Sequence, residues 1–115
     1  MKVNILGTEY EIIVEPVDTK GLHDENRAGY CYFSGKEIHV GDVNTDHEWN
    51  GEPPNMKKVY QDKVMRHEIV HAFLFESGLN VEASDGAWAV NEEVVDWIAL
   101  QFPKMQKAFQ EAGCL

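Results

Sequence analysis

Polar and apolar positions alternate at the start of the chain and shift to a longer period in its second half. Val3, Ile5 and Leu6 precede a turn at Gly7-Thr8, and Tyr10, Ile12, Ile13 and Val14 follow it. β-Branched residues on both sides of a glycine turn predict a hairpin over Lys2 to Pro16. Val17 to Gly29 is polar, contains Gly21 and Asp24-Glu25-Asn26, and reads as a loop or long connection. A second hairpin is predicted over Gly29 to Gly41. There Tyr30, Tyr32 and Phe33 enter a Ser34-Gly35-Lys36 turn and Ile38, His39 and Val40 return from it. Asp42 to Asn55 holds Gly51, Pro53, Pro54 and three Asn, which excludes a regular element. A loop of that length in a small domain is often functional.

From Met56 to Ser77 the pattern becomes helical. Val59, Tyr60, Val64, Phe73 and Leu74 recur at three- and four-residue spacings. Asn55 after Pro54 is the expected N-cap, and Gly78 the stop. A second helix is predicted from about Asp85 or Ala87 to Gln101, with Pro103 ending it. A short last helix, Lys104 to Ala112, would close at Gly113. Trp88, Trp97 and Phe102 have helical spacing and are expected to pack in the core. Strands followed by helices imply an α+β fold. The expectation is one domain over residues 1–115, in which a small N-terminal antiparallel sheet packs against these two helices.

Composition adds boundaries. At 115 residues and 43% hydrophobic content the chain can bury a core without disulfides. A net charge of −10 with only 10 Lys and Arg disfavours nucleic acid, whose binding depends on neutralised phosphates. No apolar run approaches the roughly 18 residues needed to span a bilayer. The stretch Ile69 to Phe75 is interrupted by His71. The N-terminus lacks a signal peptide's apolar core and cleavage site. A cytoplasmic location is therefore expected, with Cys31 and Cys114 as free thiols.

The chemistry concentrates in His67-Glu68-Ile69-Val70-His71, an H-E-x-x-H motif inside the strongest helix. Residues i and i+4 share a helix face, so two imidazoles there can meet one zinc ion. Glu68 points roughly 100° around the helix from His67 and can reach a water beside the metal without being a ligand. The expected cofactor is one zinc per chain. Such a site needs a third protein ligand and keeps one open position. Asn91-Glu92-Glu93-Val94-Val95-Asp96 on the second helix is the best source. Glu92 and Asp96 lie four apart, so Glu92 can ligate zinc while Asp96 accepts a hydrogen bond from a liganded histidine. Glu93 is the alternative ligand, but its i+4 residue is Trp97, which offers no carboxylate.

The pair H-E-I-V-H and N-E-E-V-V-D, separated by Ala72 to Val90, resembles the gluzincins, the metallopeptidase clan of the thermolysin-like enzymes. The match covers roughly Met56 to Pro103. Short length and a strand-rich first half are similar to minimal gluzincins of phages and prophages. The resemblance implies a zinc-dependent peptidase acting on a protein or peptide. A zinc-activated water, deprotonated by Glu68, would attack the peptide carbonyl. It also implies an edge strand beside the site helix that pairs with extended substrate. Lys36 to Val40 is the candidate strand, and His39 on it the candidate substrate contact. Thermolysin-like enzymes carry Tyr and His transition-state stabilisers in a larger C-terminal domain, for which no counterpart is expected within these 115 residues. Tyr30, Tyr32, His39 and His47 are candidates for that role. The alternative function is a zinc-containing, peptidase-like binding module that holds a partner without cutting it.

Other groups have plainer readings. His23 with Asp24 and Glu25 fits a solvated loop better than a second metal site. Asp46, His47 and Glu48 either line the cleft, cover it as a lid, or are ordinary loop polarity.

Overall fold

Leu6 and Gly7 both take positive φ, 51° and 91°, the backbone of a two-residue type I′ turn. Glycine adopts that conformation freely, and the Asn4 side chain accepts the Gly7 N–H at 2.9 Å. The turn joins β1 (Lys2–Ile5) to β2 (Thr8–Pro16) with Ile5 opposite Thr8, so it sits one residue earlier than predicted. The second hairpin forms as expected from β3 (Gly29–Tyr32) and β4 (Glu37–Asp42), with Cys31 opposite Ile38. Between the hairpins the chain makes one helical turn, α1 (Lys20–His23), which buries Leu22. The computed structural model describes residues 1–80 and 87–115.

The two hairpins join side by side through β2 and β4, which run parallel with Ile12 opposite Ile38 and Val14 opposite Val40. The strand order is β1-β2-β4-β3, so the sheet is mixed rather than wholly antiparallel. Parallel neighbours need about a dozen or more connecting residues. The path from β2 through α1 and β3 supplies them. One consequence corrects the sequence reading: β4 is hydrogen-bonded on both sides and cannot offer Lys36 to Val40 as an edge. The edge on that side is β3.

Helix α2 (Pro54–Glu76) starts at Pro54, a residue suited to the first helical position because its missing N–H has no partner there. The loop before it holds two single 3₁₀ turns, Val43–Thr45 and His47–Trp49. Trp49 packs on Tyr60 with ring centroids 4.6 Å apart. One face of α2 turns Val64 and Ala72 onto the sheet residues Ile5, Tyr10, Ile12, Ile38 and Val40. A second face puts Val70 and Leu74 against Ala89 and Val95. Gly78, at φ 85°, follows α2 as the predicted stop.

Helix α3 (Glu92–Glu111) is capped by Asn91, whose side chain accepts the Val94 N–H at 3.1 Å. It begins later than the sequence pattern suggests, and the predicted start at Asp85 lies outside the described residues. It also runs through Pro103 instead of ending there. Proline removes the N–H that would bond the carbonyl four residues earlier, here Ala99, and Arg66 supplies a donor in its place at 2.6 Å. The helix contact is made by small side chains, Val95 and Ala99, both 0% exposed. Trp88, Trp97 and Phe102 therefore lie outside the core, about half exposed.

The end of α2 is tied to both hairpins. Glu76 accepts hydrogen bonds from Tyr10 and Lys36 at 2.6 Å each and from Thr8 at 3.2 Å. Phe33 stacks on Phe75 beside it, centroids 4.3 Å apart. Among the described residues, no helix is long and apolar enough to cross a membrane.

Candidate metal centre

The histidines of H-E-x-x-H lie on the α2 face that looks toward α3, one turn apart as the spacing requires. Their Nε2 atoms are 3.1 Å apart. The first residue of α3, Glu92, bridges them, with Oε2 at 2.9 Å from His67 Nε2 and Oε1 at 3.0 Å from His71 Nε2. Both histidines are largely covered, whereas the Glu92 side chain is 70% exposed. Glu93, one position on, is exposed and does not join the group.

These atoms fit a zinc ion. Zinc holds nitrogen and oxygen ligands at about 2.0–2.2 Å in a tetrahedron, which places ligand atoms about 3.4 Å from one another. Two imidazole nitrogens and a carboxylate 2.9–3.1 Å apart approach that spacing before any cation draws them to itself. Two imidazoles and one carboxylate is also a donor set of catalytic zinc sites that keep a fourth position open.

Asp96, one turn along α3 from Glu92, reaches the far nitrogen of His67, with Oδ1 3.1 Å from Nδ1. A carboxylate there keeps the ring proton on Nδ1 and leaves the Nε2 lone pair for a metal. Lys63, one turn before His67 on α2, donates to the same Asp96 oxygen at 3.1 Å. Partial burial works to raise the Asp96 pKa, but the hydrogen bonds from Lys63 and His67 prevail and hold it below the usual carboxylate range. Burial holds the His71 pKa below the ordinary histidine value, against the pull of Glu92.

Glu68 faces the sheet rather than α3 and is 6% exposed. Burial pushes its carboxyl up to about 7; His67 opposes the shift, Glu92 adds to it and Arg27 opposes it. Its methylene stem and carboxylate lie against Gly29 of the edge strand. A Cβ at Gly29 would stand 3.1 Å from Glu68 Cγ and 2.9 Å from the His39 carbonyl oxygen. The absent side chain is what lets β3 and the motif glutamate approach. Together these groups line a cleft of about 500 Å³ that opens between β3 and the two helices, with Tyr60 and Val64 among its apolar walls. Cys31 also lines it, but burial, reinforced by the Glu68 carboxylate, pushes its thiol up to about 12. It is no nucleophile at neutral pH.

His67, Glu68, His71, Glu92 and Asp96 are thus brought together. His39 is not. It projects from the sheet face opposite Ile38 and Val40, with Nδ1 2.8 Å from Glu15 and Nε2 2.7 Å from Glu37. It stacks on Tyr30 at 4.4 Å. Alternation along β4 explains this, since Ile38 and Val40 occupy the core side. Asp46, His47 and Glu48 line a second cavity beside α1, which adjoins the cleft through Arg27, Ala28 and Tyr60. His23 lies exposed at the end of α1 beside Asp24. Sequence reasoning missed Lys63 and Gly29. Lys63 carries a signal, its i−4 spacing from His67; nothing local marks Gly29. No family model, no curated protein and no solved structure matches this chain.

Proposed function

We propose that the chain is a cytoplasmic zinc-dependent peptidase, holding one zinc ion on His67, His71 and Glu92 and using Glu68 as general base on a protein or peptide substrate. The observation that carries this reading is the convergence of those three donors beside a buried glutamate at the wall of an open cleft. The resemblance of H-E-I-V-H and N-E-E-V-V-D to gluzincins of the phage type supports the reaction class, and the net charge of −10 argues against nucleic acid as substrate.

When bound, zinc supplies Lewis acidity toward a carbonyl oxygen and a water molecule. The chain's own groups do the rest. The Glu68 carboxylate accepts a proton as the water oxygen bonds to the peptide carbon, and delivers it to the departing amine nitrogen. Asp96 keeps the His67 proton on Nδ1. The edge strand β3 offers its outer backbone groups to an extended peptide, and Gly29 lets that strand run close to Glu68.

A second reading, a zinc-containing module that binds a partner without cleaving it, draws support from one observation. Three of the four expected transition-state stabilisers, Tyr32, His39 and His47, are not among the residues that line the cleft. The test that separates the readings compares wild type with Glu68→Gln for cleavage across a whole proteome. The peptidase reading expects cut sites that vanish in the variant while zinc content holds. Identical peptide patterns with and without the substitution would support the binding module.

A further inference from the structure

Arg66 precedes the first motif histidine, yet its side chain serves the neighbouring helix. Its Nε donates to the main-chain carbonyl of Ala99 at 2.6 Å. In an unbroken helix that carbonyl would be bonded by the N–H four residues on, but that residue is Pro103, which has none. Ala99 is 0% exposed, and a buried carbonyl left without a donor is costly. The acceptor that Pro103 vacates is met by one side chain, at one axial position.

That position matters for the metal donors. Glu92, Asp96 and Ala99 stand at i, i+4 and i+7 of α3, on one face. Sliding α3 by one residue would move the Ala99 carbonyl about 1.5 Å along the axis and turn it about 100° away. Glu92 and Asp96 would leave His67 and His71 with it. The other polar ties between these helix faces run side chain to side chain, Lys63 and His67 to Asp96 and the two histidines to Glu92. The Arg66 bond is the one that grips the α3 backbone.

We propose that Arg66 is a positioning residue of the metal centre: through the carbonyl freed by Pro103 it sets the register of α3 on α2 and so holds Glu92 within bonding reach of a metal on His67 and His71. The inference rests on the zinc reading above. Three variants test it, Arg66→Met, Pro103→Ala and the two combined, each measured for zinc affinity by competition with a chelating dye and for melting temperature without zinc.

Arg66→Met is expected to weaken zinc binding on the order of 10-fold, as loss of an orienting partner does, and to lower the melting temperature. The double variant distinguishes register from mere hydrogen-bond satisfaction. Its new N–H at residue 103 bonds the Ala99 carbonyl from within α3, so melting recovers while zinc affinity stays about 10-fold weak. Zinc affinity that recovers together with melting would overturn the proposal, as would wild-type affinity in Arg66→Met. Wild-type protein that takes up no zinc would instead overturn the metal reading, and this inference with it.

Discussion

The Asp96 carboxylate reaches across from α3 to the His67 ring, Oδ1 lying 3.1 Å from Nδ1. With a metal on Nε2, a carboxylate at Nδ1 holds the ring proton there, while Nε2 faces the neighbouring histidine and Glu92. Loss of the charge therefore acts on the metal without removing any ligand. Asp96→Asn is expected to weaken zinc binding by about 10–100-fold, with an unchanged stoichiometry at saturating zinc. Competition with a chelating dye measures it. An affinity equal to wild type would show that the carboxylate does not orient the ring.

The two neighbouring glutamates should separate cleanly. Glu92 bridges both histidines, and Glu93 is turned to solvent. Glu92→Ala removes a donor and should cost more zinc affinity than the roughly 10–100-fold expected of an orienting partner. Glu93→Ala should leave affinity within about 2-fold, as surface substitutions do. A reversal of that order would assign the third ligand to Glu93.

Gly29 tests the wall of the cleft. A methyl group there meets Glu68 Cγ at 3.1 Å and the His39 carbonyl oxygen at 2.9 Å, so either the strand or the glutamate must shift. Gly29→Ala should lower stability by about 1–3 kcal/mol and reduce peptide cleavage, while zinc affinity is retained because the donors meet between α2 and α3, with His67 and His71 turned toward Glu92 and away from β3. Thermal melting, zinc titration and a cleavage assay on one preparation read all three. Parallel loss of zinc and cleavage would mean that the metal donors moved instead.

Glu76 should give the fold an acid-sensitive step. The hydrogen bond from Lys36 is the largest influence holding its pKa down, with Tyr10 next; partial burial opposes them and Thr8 assists. A carboxylate with a lower pKa folded than unfolded stabilises the fold fully above the ordinary glutamate value of about 4.3. That contribution is lost as pH falls through the folded value. Glu76→Gln should therefore melt below wild type at pH 7, and the gap should narrow progressively as pH falls from about 5 toward 3. A gap that stays constant across that range would remove Glu76 from the account.

The parts of this site that were legible in the sequence depend on spacing within one helix. His67 and His71 share a face because they are one turn apart, and Glu92 with Asp96 follow the same rule. Both hairpins were readable from alternation around glycine turns. What escaped depends on partners distant in sequence. The parallel pairing of β2 with β4 arises from how two hairpins meet, so the edge fell to β3. Pro103 reads as a helix end until Arg66, 37 positions earlier, meets the carbonyl it frees. Trp88, Trp97 and Phe102 have a core-like rhythm, yet the helix contact is closed by Val95 and Ala99. The cleft needs Gly29 against Glu68, an approach that no local pattern encodes.

The zinc content of purified protein, combined with anomalous diffraction at the zinc edge, tests the central claim most directly. The account predicts about one zinc per chain, with a single anomalous peak between His67 Nε2, His71 Nε2 and the Glu92 carboxylate. It also predicts loss of that zinc in His67→Ala and His71→Ala. Protein that binds no zinc after exposure to it, or a peak elsewhere in the molecule, would contradict it.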